Sequence, residues 1–312
     1  MSYLQYEGLV SAAFLSPVIP APLEPQLCTL VEQPPVGDDW LHEIKYDGWR
    51  LLARKQGSDV RLYTRGGVEW SQRLPRLVEA VRGLAVDSAW LDGEIVRLDD
   101  DRFPDFEQLQ RDMRARAERN LFYQVFDLPW LHGEDLTRWP LLDRKTRLRE
   151  TISNSEQRIR FTDHLVGNGA DVFARADALD LGGIVSKRIE GTYLPGVRSR
   201  DWQKAKCWRT LTVVIGGVAF DKGGHFEGLL AGTPTDGGLR YEGLVEFGLS
   251  RLGDLRQLCF ELATTEQPFI GEWKPSDRRF WLRPEVGIEI RALPRRPGRF
   301  LRHATALVAL PR

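Results

Sequence analysis

A single lysine set between two carboxylates is the stretch of this sequence best suited to chemistry. Lys45 follows Glu43 by two residues and precedes Asp47 by two, and Gly48 and Arg50 come shortly after. On a strand, side chains alternate, so this spacing predicts that Glu43, Lys45 and Asp47 share one face. A half-buried lysine in such company can lose its proton and attack a phosphorus centre. A surface strand with alternating charges explains the same pattern.

Other short motifs follow this lysine along the chain. They are Thr64-Arg65-Gly66-Gly67, Asp92-Gly93-Glu94, Phe126-Asp127, Gly183-Ile184-Val185 and Lys204-Ala205-Lys206. Each has an ordinary structural explanation: glycine motifs form turns, a phenylalanine in an apolar strand packs in a core, and two lysines spaced by one residue form a solvated strand face. Their order along the chain is more specific than any one of them.

Composition limits the possible classes of protein. The chain has 312 residues of which 42% are hydrophobic, which predicts a substantial core and two domains. Lysine and arginine together number 44, as do aspartate and glutamate, so a nucleic-acid site would have to be local. The end of the chain offers such a patch, which could follow a phosphate backbone or form a solvated face; its cations are Arg278, Arg279, Arg283, Arg291, Arg295, Arg296, Arg299, Arg302 and Arg312.

The cysteines and the lengths of the apolar runs indicate in which cellular compartment the protein is expected. Cys28, Cys207 and Cys259 form neither a CxxC motif nor an even set, which predicts reduced thiols in a cytoplasmic protein. No apolar run reaches the roughly 18 residues that a membrane span needs, and the first residues lack the basic flank of a secretory signal. We therefore expect no membrane partner. Because no heptad pattern proposes a dimer seam, we expect a monomer.

Hydrophobic patterning predicts mixed secondary structure before about residue 209. The proline-rich residues up to about 38 predict an extended arm. Ser71 is expected to cap a short helix, and Gly183–Arg188 to form a buried strand that emerges into two cations. The other predicted strands are 40–45, 49–55, 60–64, 89–96, 121–128 (ending at Pro129) and 201–206, and the other predicted helices are 106–119, 142–151 and 170–179.

The pattern of predicted secondary structure changes near Thr210. Short strands separated by glycine turns are predicted at 211–220, 226–231, 238–247, 280–283 and 287–291, with one helix at 252–263. Five or so short strands and one helix in about 100 residues predict a small β-barrel of the OB type.

The order of the motifs resembles that of the covalent nucleotidyltransferases, among them the ATP-dependent DNA ligases. It is most similar to the ligase module of bacterial non-homologous end-joining enzymes, including Pro25-Gln26-Leu27, Leu282-Arg283-Pro284-Glu285 and Leu301-Arg302-His303. The resemblance runs from about residue 20 to the end. It implies an α+β fold, with an adenylation domain of mainly antiparallel sheets at 1–209 and an OB-fold DNA-binding domain at 210–312. It also leads us to expect a stand-alone ligase unit without a polymerase or nuclease domain.

The resemblance also implies a role for each motif residue. Lys45 would attack the α-phosphate of ATP and form a lysyl-AMP intermediate. Glu43 would read adenine, and the base would lie between Phe126 and Val185. The ribose and phosphates would be held by Arg50, Arg65, Glu94, Lys204 and Lys206, and Glu94 would also lie near a Mg²⁺ or Mn²⁺ ion. The AMP would then pass to a 5′-phosphate at a nick or break in double-stranded DNA, and the 3′-hydroxyl would displace it.

One position departs from the family pattern. A glutamate is expected before Gly183, and this chain has Gly182 instead. The loss of an oxygen ligand should weaken binding of a hard cation, so a nick-binding protein with weakened catalysis is an alternative, as is an RNA ligase or a capping enzyme. In the leading interpretation the protein acts in DNA repair and recombination in the bacterial cytoplasm, near the nucleoid, where a Ku-like end-binding protein could recruit it.

Overall fold

The computed structural model describes residues 23–155, 157–271, 278–294 and 300–310. These residues form two compact units. The first contains the described residues up to 29 together with 37–167 and 186–203, and the second contains 30–36, 168–185 and the described residues from 204 onward.

The described residues form nineteen strands and five α-helices. The strands up to residue 205 are β1 (Leu27–Val31), β2 (Trp40–Ile44), β3 (Trp49–Gln56), β4 (Asp59–Thr64), β5 (Ser88–Arg97), β6 (Leu121–Leu131), β7 (Glu134–Asp135), β8 (Ile159–Phe161), β9 (His164–Val166), β10 (Ile184–Arg188) and β11 (Arg198–Ala205). Those that follow are β12 (Arg209–Phe220), β13 (Phe226–Thr235), β14 (Gly238–Phe247), β15 (Ala263–Thr264), β16 (Phe269–Ile270), β17 (Arg278–Leu282), β18 (Gly287–Ala292) and β19 (Ala304–Ala309). The helices are α1 (Pro75–Arg82), α2 (Phe106–Arg114), α3 (Leu141–Ile152), α4 (Gly169–Ala178) and α5 (Leu255–Leu262). None of these helices is long and apolar enough to cross a membrane.

The first unit is built around a six-stranded sheet. Its order is β4-β3-β5-β6-β7, and β8 pairs with β6. Helices α1, α2 and α3 contact β4, β5 and β6 respectively, and a buried apolar cluster that includes Leu62, Val81, Leu91, Leu109 and Leu148 fills the space around them. Because alternate residues of these strands are apolar, one face of the sheet is available to bury against the helices. A five-stranded sheet has the order β1-β11-β10-β2-β9.

Local sequence signals start most of the helices. Pro75 occupies the first turn of α1, where its missing N–H would be unpaired in any case. The side chains of Asp105, Asn168 and Asp254 accept backbone N–H groups at the starts of α2, α4 and α5. Such caps satisfy donors that have no partner within the helix.

The second unit contains an eight-stranded sheet whose pairings form a ring. Strand β12 pairs with β13 and β18, β13 pairs with β14, β14 pairs with β19, and β19 pairs with β18. Only the β14–β19 pairing in this ring is parallel. Helix α5 lies between β14 and β18 in the chain. The apolar cluster of this unit includes Ile215, Leu229, Val245, Leu262 and Ile290.

Most predicted elements are confirmed to within a few residues, but four local predictions are wrong. Strand β2 ends at Ile44 because the N–H of Tyr46 donates to the Ile44 carbonyl across Lys45, so Lys45 and Asp47 do not extend the strand face of Glu43. Ser71 caps no helix: its hydroxyl accepts the N–H of Leu62 and donates to Glu69.

The other two errors concern residues whose surroundings are set by distant parts of the chain. Strand β6 continues through Pro129 to Leu131, because the register with β5 shifts between Trp90 and Asp92; at such an irregularity a residue without an N–H is tolerated. Strand β10 was predicted to emerge into two cations, but only Arg188 is exposed, and Lys187 is 1% exposed. The extended arm predicted up to residue 38 lies largely outside the described residues.

The most deeply buried ion pair of the first unit joins α3 to β6. Arg144 Nε and Nη2 donate to Asp127 Oδ1 and Oδ2 at 2.7 and 2.9 Å, and neither side chain is exposed. Burial acts to raise the pKa of Asp127, but Arg144, Lys187 and the N–H of Leu128 together outweigh it, so the pKa lies below its usual value. The two parallel hydrogen bonds between the guanidinium and the carboxylate compensate for the free energy that both charged groups lose when they leave water.

Replacement of Asp127 with asparagine should therefore destabilise the protein strongly. The variant leaves a buried guanidinium without its anion, a loss of about 3–5 kcal/mol in the free energy of unfolding, which urea denaturation would measure. Asp163→Asn is the matched control, since its pair with Arg149 is largely exposed and should contribute less than about 1 kcal/mol. Equal effects of the two variants would contradict the assignment of Arg144–Asp127 as a structural pair.

Candidate active site

Lys45 lies in the short segment between β2 and β3 and is partly exposed. The same segment is tied to β5, because the N–H of Gly48 donates to Glu94 Oε1 at 3.2 Å. Burial raises the pKa of Glu94, while the charges of Lys45 and Arg50 act to lower it, and burial prevails. The Lys45 amine and a carboxylate whose ionised form is destabilised by burial thus lie near each other, which is a common feature of functional sites.

Gly48 permits this close approach between the two segments. A Cβ atom at this position would lie 2.1 Å from the carbonyl oxygen of Ile95. Trp49 pairs with Ile95, and Arg50 with Glu94, in the antiparallel β3–β5 ladder. The glycine therefore lets the chain pass directly from Lys45 into a strand whose neighbour carries Glu94.

Arg50 is held by a network of buried groups. Its Nε and Nη2 donate to Asp92 Oδ1 and Oδ2, both at 2.5 Å, and Nη2 also donates to the Gln26 carbonyl at 3.2 Å. The Tyr193 hydroxyl donates to Asp92 Oδ2 at 2.7 Å. Burial acts to lower the pKa of Arg50, but Asp92, together with smaller contributions from Tyr193 and Cys28, outweighs it and raises the pKa. Burial, and then Asp92, raise the pKa of Tyr193. The guanidinium is thus a fixed cation.

Phe126 lies beside this network on β6. Its ring is 9% exposed and packs edge-to-face against Trp202, with 6.1 Å between centroids. The Arg50 guanidinium carbon lies 4.7 Å from the ring centroid, and Lys187 Nζ lies 4.3 Å from it. The ring is therefore part of a small aromatic cluster that carries two cations.

Glu43 is buried at the end of β2 and is paired with two lysines. Lys145 Nζ lies 2.5 Å from Oε1, and Lys187 Nζ lies 2.7 Å from Oε2. Burial lowers the pKa of Lys145, although the charge of Glu43 opposes this. Sequence reasoning did not single out Lys145, Lys187 or Tyr193. The apolar residues before Lys187 in β10 were the only signal that this lysine is buried.

The remaining predicted site residues lie in other settings. Arg65 is on the exposed turn that follows β4. Val185, Lys204 and Lys206 belong to the second unit, where each is partly buried. Strand β11 ends at Ala205, so Lys206 follows the strand; its Nζ lies 4.7 Å from the ring centroid of Trp208.

The backbone before β10 distinguishes the two glycines of the unusual motif. Gly183 has a φ of +134°, and a Cβ atom there would lie 2.1 Å from the carbonyl oxygen of Ala205, so this position requires glycine. Gly182 is partly buried and is the position at which the resemblance leads us to expect a carboxylate.

The described residues contain no cluster of three or more histidine, cysteine, aspartate or glutamate side chains that would by itself hold a metal ion. Mg²⁺ is usually bound by one or two carboxylates together with phosphates and water. Glu94, which lies near Lys45, fits that pattern as a single protein ligand.

Replacement of Glu94 with glutamine should stabilise the protein at pH 8 and have little effect at pH 4. Since the folded-state pKa of Glu94 is raised, its ionisation costs stability as the pH rises through that pKa. Glutamine keeps an acceptor for Gly48 and never ionises. Thermal unfolding in EDTA at the two pH values measures the difference. The exposed control Glu134→Gln should change stability by less than about 0.5 kcal/mol at both, and a loss of stability in Glu94→Gln at pH 8 would contradict the prediction.

Comparison with known proteins identifies the family. A family model described as the ATP-dependent DNA ligase domain matches residues 25–206. The chain is 36% identical over 296 residues to the multifunctional non-homologous end joining protein LigD of Pseudomonas aeruginosa, which covers 92% of this chain and 35% of that protein. It is 38% identical over 235 residues to LigD of Mycobacterium tuberculosis, which covers 74% of this chain and 30% of that protein. The chain thus spans about a third of the length of these relatives.

Solved structures agree. A mycobacterial DNA ligase D complexed with ATP and MES is 30% identical, with a TM-score of 0.57 over 93% of this chain and 95% of that one. The ligase domain of M. tuberculosis LigD is 29% identical, with a TM-score of 0.55 and the same coverage. The resemblance inferred from the order of the motifs is thereby confirmed, and the chain belongs to the ATP-dependent DNA ligase family.

Proposed function

We propose that this chain joins a 5′-phosphate to a 3′-hydroxyl in double-stranded DNA through an adenylate carried by Lys45. The observation that carries the proposal is the placement of Lys45 in a turn next to Glu94, within a chain of the ATP-dependent DNA ligase family. ATP use follows from the family. The substrate and the biological setting are proposals, because the chain matches only part of its curated relatives.

Each covalent step would exchange one bond at phosphorus for another. The neutral amine of Lys45 would attack the α-phosphate of ATP, form a P–N bond, lose a proton and release pyrophosphate. An oxygen of the DNA 5′-phosphate would then attack the same phosphorus and free the lysine. Finally the 3′-hydroxyl would attack the DNA 5′-phosphate, and AMP would leave. Positioning and electrostatic stabilisation dominate such transfers.

The other residues of the site would position the nucleotide. Arg50 is suited to hold a phosphate, since Asp92 and Gln26 fix its orientation. Phe126 would stack on the base and Glu43 would read it. The family resemblance assigns the opposite face of the base to Val185 and the ribose and phosphates to Arg65, Glu94, Lys204 and Lys206. A Mg²⁺ or Mn²⁺ ion, when bound by Glu94 and phosphate oxygens, would polarise the phosphoryl group.

We also propose that residues 210–312 form an OB-fold that binds DNA and that residues 1–209 form the adenylation domain. Support comes from the ring of pairings β12-β13-β14-β19-β18. Helix α5 also supports it, because it lies between β14 and β18, the third and fourth ring strands in chain order. Five-stranded, partly open barrels of this kind bind nucleic acids. Action at breaks, recruitment by a Ku-like protein and a monomeric state belong to the same proposal.

Replacement of Lys45 with alanine should abolish covalent labelling by α-labelled ATP. The variant lacks the only amine that the proposal assigns to the P–N bond. Labelling is read on a denaturing gel with Mg²⁺ or Mn²⁺, followed by a chase with nicked DNA. Lys222→Ala, which removes an exposed lysine after β12, is the control and should keep the label. Label retained by Lys45→Ala would assign the nucleophile elsewhere, and absence of label from the unaltered protein with either metal would refute the proposed activity.

A catalytically weakened nick-binding protein is the second candidate, and Gly182 is the observation that favours it. Replacement of Gly182 with glutamate should raise the rate of nick sealing on the order of tenfold, because a second carboxylate would assist metal binding. Gly182→Gln is the matched control, with the same size and no charge. Sealing rates of purified proteins at limiting Mg²⁺ measure the effect. An equal gain in both variants, or none in either, would remove the link between Gly182 and metal binding.

A further inference from the structure

The carboxylate of Glu43 is held at both oxygens by ammonium groups from different elements. Lys145 on α3 lies 2.5 Å from Oε1 and Lys187 on β10 lies 2.7 Å from Oε2. The exposed fractions of Glu43, Lys145 and Lys187 are 3%, 1% and 1%. Three charged side chains are therefore withdrawn from water at one point, where β2, α3 and β10 meet.

Charge neutralisation alone does not explain this arrangement. One lysine is enough to neutralise one carboxylate, and a second buried ammonium adds a desolvation penalty. Lys145 also donates to the carbonyl of Thr162 at 3.0 Å. Lys187 Nζ lies 4.3 Å from the centroid of Phe126 and 4.1 Å from that of Trp202, so the aromatic rings partly compensate its charge. The second lysine thus connects the carboxylate to the aromatic pair.

We infer that Lys145 and Lys187 are positioning residues that fix Glu43 as a hydrogen-bond acceptor for the nucleotide base and thereby set the preference for ATP over GTP. The inference rests on the proposed function, in which Glu43 reads the base and Phe126 stacks on it. It goes beyond that function because it assigns the selectivity to two lysines outside the motif that contains the nucleophile.

The chemistry of the two purines supports this assignment. An ionised carboxylate only accepts hydrogen bonds, and each of its oxygens has two acceptor sites. Lys145 donates a hydrogen bond to one oxygen and Lys187 forms an ion pair with the other, so acceptor sites of the carboxylate remain for a ligand. Adenine presents a donating amino group at position 6, whereas guanine presents an accepting oxygen there. A fixed acceptor therefore favours adenine. With guanine, the carboxylate oxygen would face the accepting oxygen at position 6, and such an unpaired contact gives strong discrimination between the two nucleotides.

Lys187 is the more informative of the two lysines. It contacts both the acceptor and the ring on which the base would stack, so its loss would let the carboxylate rotate and would loosen the Phe126 ring at the same time. Its own amine makes no bond to the reacting phosphorus in the proposed mechanism. We therefore expect its loss to change which nucleotide is used more than how fast a bound nucleotide reacts.

The test is the ratio of ATP to GTP in formation of the covalent nucleotide adduct. Lys187→Met and Lys145→Met are compared with the unaltered chain over a range of nucleotide concentrations in single-turnover labelling. We expect the ATP:GTP ratio of second-order rate constants to fall at least tenfold in Lys187→Met. The change should appear mainly in the concentration of ATP that gives the half-maximal rate. Lys145→Met, which releases the other oxygen, should lower the ratio in the same direction.

Lys55→Met is the matched control for loss of a buried lysine. Lys55 is 5% exposed and donates to the carbonyls of Gly57 and Arg82, in another part of the first unit. This control should leave the ratio unchanged. A merely structural lysine would reduce the amount of active protein and leave the ratio intact, so an unchanged ratio in both Lys187→Met and Lys145→Met would overturn the inference, as would an equal fall in Lys55→Met. Failure of the unaltered chain to form any adduct would instead overturn the proposed function.

Discussion

The pairing of Arg50 with the fully buried carboxylate of Asp92 is the interaction on which the rest of the site depends. Asp92 receives two hydrogen bonds from Arg50 and one from Tyr193, and these donors come from separate elements. An uncompensated charge at this depth would be strongly destabilising, so the elements can pack only in the arrangement that brings the donors together. That arrangement places Arg50 on Phe126 and places β3 next to the strand of Glu94.

Similar pairs recur throughout the first unit and constrain its reactive groups in the same way. Asp127 binds Arg144, and Glu43 binds Lys145 and Lys187. Lys45 differs from these groups, because it is partly exposed in a turn at which β2 has ended. Arg144, Lys145 and Lys187 are thus buried and paired with carboxylates, whereas the proposed nucleophile is partly exposed.

The sequence was most informative where chemistry depends on residue type and order. The order of the motifs predicted the ligase family, which the family model and the LigD relatives confirm. The α+β class was implied by the same resemblance. Amphipathic patterning is a local signal, and it predicted most strands and the positions of the main helices, whereas the one helix cap predicted, Ser71, was wrong. The close approach of Gly48 to the backbone of β5, in contrast, depends on a strand that is distant in the chain.

Only the tertiary structure decided which side chains are buried and which distant residues pair with each other. The sequence by itself determined the family, the nucleophile candidate and the unusual Gly182. It did not reveal that Lys187 is buried against Glu43, that Pro129 lies within a strand, or that the Ser71 hydroxyl bonds Leu62 and Glu69 instead of capping a helix. The physical reason is that a lysine, a proline or a serine has the same local propensity wherever it lies. Its environment is set by residues such as Lys145 or Trp90, which are far away in the chain and near only after folding.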